Sequence, residues 1–192
     1  MKIIKTEIEG VYIIEPKVFK DSRGYFYESW NQDAFEKAGL KYNWVQDNQS
    51  KSVYGTVRGI HYQKGEDAQA KLVRALKGKV LDVAVDLREG SPTFGKHVAV
   101  ELTEDNHRQL LIPRGLGHGF SVLSDEAVFA YKCDNGYAPQ SEGSIRFNDS
   151  QLAIDWQIDA DKVLLSDKDT KAPSFEQYTQ TPDFKYSELK KD

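Results

Sequence analysis

The sequence contains a single cysteine, Cys133, so it can form neither an internal disulfide nor a zinc site built on cysteine pairs. It has no apolar run approaching the roughly 20 residues that a membrane-spanning helix needs. The opening Met-Lys-Ile-Ile-Lys-Thr-Glu offers no long apolar stretch and no small-residue cleavage site, so no secretory signal is expected there. Positive charge is not in excess: 26 Lys and Arg stand against 30 Asp and Glu, a net charge of −4, which lacks the basic footprint of a nucleic-acid binder. No glycine-rich phosphate loop of the P-loop or dinucleotide type occurs, nor any internal repeat or low-complexity segment. These absences point to a reducing, cytoplasmic compartment and to partners other than nucleic acid or membrane. What is present is 192 residues, 39% hydrophobic and 29% charged, enough for one globular domain with a sizeable core.

The pattern along the chain is mainly that of short strands. Residues 70–76 and 79–87 are two β-rich runs around Lys77-Gly78 and read as a hairpin or its near equivalent. In the second run Leu81, Val83, Val85 and Leu87 fall on one face, and Val80, Asp82, Ala84 and Asp86 on the other. Further strands are expected at 11–14, 25–30, 45–47, 52–57, 96–102, 109–112, 120–123, 128–134 and 144–147, each bounded by turn residues. One helix is expected after a cap at Asn31, with Ala34, Phe35 and Ala38 at helical spacing and Gly39 as its stop. Shorter helical turns are expected at 150–154 and 174–178. Many short strands with frequent turn signals predict a sandwich, jelly roll or barrel. The domain is expected to span residues 1–180, and 181–192 to form a loosely tethered polar tail.

Of the four histidines, His97 and His107 sit in polar surroundings and read as surface residues. His61 closes Gly55-Thr56-Val57-Arg58-Gly59-Ile60-His61-Tyr62-Gln63, and His118 lies in Pro113-Arg114-Gly115-Leu116-Gly117-His118. These strings resemble the two motifs of the cupin superfamily, Gly-x5-His-x-His with a following Glu, and Pro-x-Gly-x-x-His. The resemblance implies an all-β, cupin-type double-stranded β-helix, that is, a jelly-roll barrel. Gln63 stands where a metal-binding cupin has its second His, and no Glu follows at the expected spacing. Two imidazoles and an amide are a poor first-row metal set, so no metal is expected. His118 reads either as a site residue or as a buried, hydrogen-bonded structural histidine.

A narrower resemblance rests on an ordered set of strings. They include Arg58-Gly59-Ile60-His61-Tyr62-Gln63, Gln69-Ala70-Lys71-Leu72-Val73-Arg74, Ser91-Pro92-Thr93-Phe94-Gly95, Tyr131-Lys132 and Leu165-Ser166-Asp167-Lys168-Asp169, with Arg23-Gly24-Tyr25-Phe26-Tyr27-Glu28 upstream. Together they resemble the dTDP-4-dehydrorhamnose 3,5-epimerase family over residues 1–178. The resemblance implies inversion of the two carbons flanking a keto group. Such chemistry needs a base on one face, an acid on the other and a cation or donor at the ketone oxygen, without a cofactor.

By this resemblance His61 is the base, Asp169 its partner, Lys71 the oxyanion stabiliser and Tyr131 the acid. From composition alone Asp169 reads as a polar surface turn residue, Lys71 as an exposed edge charge and Tyr131 as a core aromatic. The resemblance further assigns Arg23, Phe26 and Glu28 to the nucleotide end of a dTDP-sugar, and Gln46, Asn48, Arg58 and Lys168 to its diphosphate or sugar. Tyr137 is expected as a wall or stacking residue, and His118 with Asp82 as a supporting pair near the site. A homodimer is implied, with an N-terminal segment reaching the neighbour's site. In a regular strand Arg58 and His61 would face opposite sides, so an irregularity at Gly59 is expected. Ala70 departs from the family's usual Gly, and Arg114 from its usual Glu. The alternatives are a single-carbon epimerase or ketoisomerase on a related sugar, a non-catalytic sugar-nucleotide-binding module, and a metal-dependent cupin, against which Gln63 counts.

Overall fold

Runs of β-branched and aromatic residues punctuated by Gly, Asn and Asp become short antiparallel strands in the computed structural model, which describes residues 1–189. Strands β1 (Lys2–Lys5) and β2 (Tyr12–Glu15) precede a small hairpin, β3 (Phe19–Asp21) and β4 (Gly24–Phe26), and helix α1 (Gln32–Lys37). Then come β5 (Gln46–Val53), β6 (Val57–Gln63), β7 (Lys71–Lys77), β8 (Lys79–Asp86), β9 (Arg88–Glu89) and β10 (His97–Thr103). They are followed by β11 (Gln109–Ile112), β12 (Leu116–Val122), β13 (Glu126–Cys133) and β14 (Glu142–Ser144). Helix α2 (Phe175–Gln180), strand β15 (Phe184–Lys185) and helix α3 (Tyr186–Leu189) end the described chain.

Two sheets face each other, one in the order β1-β2-β11-β7-β13-β5 and the other in the order β10-β8-β12-β6-β14. This is the jelly-roll barrel expected for a cupin-type chain. Alternation decides what each face meets. Val80 and Ala84 point between the sheets with Val73, Leu110, Phe120 and Phe129, while Leu81, Val83, Val85 and Leu87 point outward. That outer face is covered by the C-terminal segment through Ile145, Leu152, Trp156, Phe175, Tyr178 and Phe184. Leu72 and Leu111, on the outer face of the other sheet, pack against Phe35 and Leu40 of and after α1. The helix itself starts where expected: Asn31 Oδ1 accepts from Ala34 N at 3.0 Å, and Gly39 follows the last turn at a φ of +82°.

Several expectations need correction. The two strands flanking Lys77-Gly78 do not pair with each other; β7 lies in one sheet and β8 in the other, so the turn is a corner. Each strand is already hydrogen-bonded on both sides, β7 by β11 and β13, β8 by β10 and β12, which leaves no edge for a hairpin. The expected strands at 45–47 and 52–57 are instead the ends of one strand, β5, and the start of the next, separated by a turn at 54–55. The strand expected at 25–30 stops at Phe26. Residues 150–152 form a turn rather than a helix, whereas Ser174 caps α2 through a reciprocal capping box with Gln177. His107 is buried at 5% exposure, because Tyr25 and Tyr27 cover its ring. The tail expected from residue 181 is docked as far as 189: Phe184 is buried, β15 pairs with β9, and Asp183 accepts from the Tyr62 hydroxyl at 2.8 Å. One large apolar side chain among polar neighbours is enough to anchor that segment. Residues 190–192 lie outside the described residues.

Candidate active site

The space between the sheets is not filled at one end. There Asn48, Gln49 and Ser50 of β5, Arg58 and His61 of β6, Lys71 of β7, His118 and Phe120 of β12 and Tyr131 of β13 line a cavity of about 290 Å³. His61 and Tyr131 come from opposite sheets, so an imidazole and a phenol form opposing walls. Lys71 opens β7 with its ammonium 5.7 Å from the centre of the Tyr131 ring.

Local irregularity makes this convergence possible. β6 and β12 pair as His61 with His118 and Arg58 with Phe120, so three steps on β6 match two on β12. The extra residue re-phases the strand and puts Arg58 and His61 on the same side. Gly59 makes the irregularity feasible: its φ is +117°, and a β-carbon there would lie 2.6 Å from both Gly119 Cα and His118 O. This is the bulge that the sequence spacing demands.

Asp169 reaches His61 from outside the sheet. The C-terminal segment docks on the start of β6 through Val57 N to Leu164 O (3.0 Å) and Leu164 N to Gly55 O (2.9 Å). Five residues on, Asp169 is 4% exposed with Oδ1 2.5 Å from His61 Nε2, while the Ser166 hydroxyl donates to Oδ2 at 2.8 Å. Burial opposes the Asp169 charge, but the bond from His61, with Ser166 and Lys168, holds its carboxyl below the ordinary range. A second pair lies deeper, with His118 Nε2 2.9 Å from Asp82 Oδ2, and both residues are buried. Burial pushes the His118 imidazole down, and Asp82 offsets this only in part. Burial likewise lowers Lys71, against the attraction of Cys133, Asp82 and Glu142, and raises the Tyr131 phenol. A desolvated ammonium beside a cavity is a strong stabiliser of new negative charge.

Of the residues singled out in the sequence, Asn48, Arg58, His61, Lys71, His118 and Tyr131 line the cavity, with Asp169 behind His61. Gln46 is tied to the neighbouring wall, its Nε2 donating to Asn48 Oδ1 at 3.1 Å and its Oε1 accepting from Tyr137 N at 3.0 Å. The Tyr137 ring itself is exposed. Lys168 is exposed and paired with Glu142. Arg23, Phe26 and Glu28 are not brought to the cavity. They sit on or just after the β3–β4 hairpin, Phe26 68% exposed and Arg23 paired with Asp21. Gln63 acts as a brace, its amide nitrogen donating to Asp67 O and Gly136 O and its oxygen accepting from Ala138 N.

Sequence reasoning missed Ser50, which lines the cavity, Ser52, whose hydroxyl accepts from Arg58 Nε at 3.1 Å, and Ser166. The first two belong to the alternating run Gln46, Asn48, Ser50, Ser52, a polar inward face of β5 whose middle, 48–51, reads as a loop in the sequence. Ser166 precedes Asp169 by three residues, the spacing of a Ser-capped turn.

A family model described as dTDP-4-dehydrorhamnose 3,5-epimerase matches residues 5–177. The chain is 54% identical over 176 residues to the dTDP-4-dehydrorhamnose 3,5-epimerase of Shigella flexneri, covering 91% of this chain and 96% of that one. It superposes with a TM-score of 0.89 on the crystal structure of the enzyme of that name from Elizabethkingia anophelis, at 57% identity, covering 92% of this chain and 97% of the other. A second structure, a dTDP-6-deoxy-D-glucose-3,5-epimerase from Legionella pneumophila in complex with dTDP-4-keto-L-rhamnose, gives a TM-score of 0.92 at 48% identity over 96% and 98% of the two chains.

Proposed function

The chain belongs to the dTDP-4-dehydrorhamnose 3,5-epimerase family, and from that premise we propose that it inverts C3 and C5 of dTDP-4-keto-6-deoxyglucose through enolate intermediates. The observation that carries the reading is the 2.5 Å His61–Asp169 pair on one wall of a cavity whose opposite wall holds Tyr131, with Lys71 beside it.

In each inversion His61 removes the proton next to the C4 ketone, and the C–H electrons move onto the C4 oxygen. Lys71 stabilises that oxyanion, where one such donor is commonly worth roughly 100- to 1000-fold in rate. Asp169 steadies the imidazolium as it forms and keeps the ring in the tautomer whose other nitrogen faces the substrate. Tyr131 returns a proton to the opposite face of the carbon, and the resulting tyrosinate and imidazolium re-equilibrate with solvent. No electron leaves the sugar, so the reaction needs no redox cofactor; His61 and Tyr131 supply the base and the acid, and Lys71 the positive charge at the ketone oxygen.

Arg58, Asn48, Gln46, Lys168 and Tyr137 are read as contacts to the diphosphate and sugar, with His118 and Asp82 supporting the inner wall. Arg23, Phe26 and Glu28, which do not line their own cavity, fit a homodimer in which the hairpin of one protomer serves the nucleotide of its partner. Residues 1–180 with the docked segment to 189 are read as one domain, acting in the cytoplasm.

The test is incubation with dTDP-4-keto-6-deoxyglucose in deuterated water, followed by proton NMR at C3 and C5. Deuterium with inversion at both carbons supports the assignment. Deuterium at one carbon alone makes the protein a single-carbon epimerase, and binding without exchange makes it a non-catalytic module.

A further inference from the structure

The β3–β4 hairpin forms a sheet of its own and joins neither barrel sheet, yet it carries the residues read as nucleotide contacts. What fixes it to the barrel is a ring cluster. The His107 imidazole lies 4.5 Å from the Tyr25 ring and 5.0 Å from the Tyr27 ring, and the two tyrosine rings are 5.9 Å apart. Tyr25 and Tyr27 both lie against that imidazole, while Phe26 between them is 68% exposed.

The loop ahead of β11 holds the imidazole in place. His107 has a φ of +52°, in the left-handed region that His tolerates better than most side chains. Around it Asn106 Oδ1 accepts from Thr103 N at 3.1 Å and Arg108 N at 2.9 Å, and His107 N donates to Thr103 O at 3.2 Å. Past the hairpin, Gln109 Nε2 adds a tether to Ser29 O at 2.6 Å.

We propose that His107 is a positioning residue: by clasping Tyr25 and Tyr27 it holds the hairpin in the one pose that turns Arg23 and Phe26 outward, toward a nucleoside diphosphate in the partner's site. The proposal rests on the reading of the hairpin as a nucleotide-recognition element. A hairpin that leaves this pose part of the time binds nucleotide more weakly in proportion to the time spent away.

The test compares KM and kcat for the dTDP-sugar, and the Kd of dTDP, in His107→Asn, Tyr25→Ala, Tyr25→Phe and Phe26→Ala. Asn tolerates the left-handed backbone but removes the ring. His107→Asn and Tyr25→Ala should each raise KM and the dTDP Kd roughly 10-fold, the weight of one or two ring contacts, with kcat within about two-fold. Combining the two should cost little more than either alone, and Tyr25→Phe should behave as wild type. Amide exchange over residues 19–27 should quicken in His107→Asn while the barrel amides stay protected. If Phe26→Ala raises KM and His107→Asn does not, the clasp is refuted while the hairpin's role stands. If Phe26→Ala leaves KM unchanged, the nucleotide reading of the hairpin fails and the proposal fails with it.

Discussion

Replacing Asp169 with Asn keeps the side-chain shape and removes one charge from behind His61. The carboxylate is 4% exposed, 2.5 Å from His61 Nε2, and fixed by Ser166. When His61 takes a substrate proton, an imidazolium forms against that carboxylate. With charge centres about 4 Å apart in an effective dielectric of about 20, the attraction is about 4 kcal/mol. The His61 side chain is 34% exposed, and solvent screening reduces the figure to about 2–3 kcal/mol. Removing it from the transition state lowers kcat by roughly 30- to 150-fold. An Asn amide that turns its NH2 toward the ring would favour the wrong tautomer and push the loss to the upper end. Steady-state kinetics should place the whole effect in kcat, with KM unchanged. Ser166→Ala, which keeps the charge and loses one hydrogen bond, should cost about 3- to 10-fold. A kcat for Asp169→Asn within about three-fold of wild type, or a larger loss in Ser166→Ala, would refute the reasoning.

Lys71→Met should lower kcat by roughly 100- to 1000-fold, yet thermal denaturation should find it as stable as wild type or more so, because burial already disfavours the ammonium; a clear fall in Tm would contradict this. His118 is held below its ordinary value by burial, so its stabilising effect is complete above about pH 6.5 and declines as pH falls toward the folded value. Asp169, also lowered, adds a loss in the carboxylate range below about pH 4. Tm should therefore drop between pH 7 and pH 5, with a shallower drop in His118→Asn; equal slopes would show that another group sets the acid limb. Gly59→Ala introduces a β-carbon 2.6 Å from two main-chain atoms at a φ of +117°. It should destabilise by several kcal/mol or, if the strand shifts to relieve the clash, lose activity through the displaced Arg58 and His61; full Tm with full activity would be inconsistent with the bulge.

The barrel was legible where periodicity and turn chemistry agree. The two faces of β8 separate in the structure as its alternation requires, and Asn31 and Gly39 bracket α1. Lys77-Gly78 misled because a glycine turn serves a hairpin and a sheet-to-sheet corner equally well, and the choice is made by strands distant in sequence. In the sequence β5 reads as two pieces because its inward face is polar: cavity-lining Asn48 and Ser50 interrupt the apolar signal that marks a strand. His61 and Asp169 lie 108 residues apart, so their contact has no local signature, and only the resemblance joined them. His107 reads as a surface residue because its surroundings, Arg108 among them, are polar, whereas its burial comes from a hairpin some eighty residues upstream.

The central claim is that His61 and Tyr131 work on opposite faces of the same carbon. It is tested most directly by following wild type, His61→Ala and Tyr131→Phe with dTDP-4-keto-6-deoxyglucose in deuterated water, with exchange and configuration read separately by NMR. The account predicts that His61→Ala neither exchanges nor inverts, and that Tyr131→Phe still exchanges solvent deuterium into the sugar but returns it to the original face. Inversion by Tyr131→Phe at the wild-type rate, or exchange that persists without His61, would contradict it.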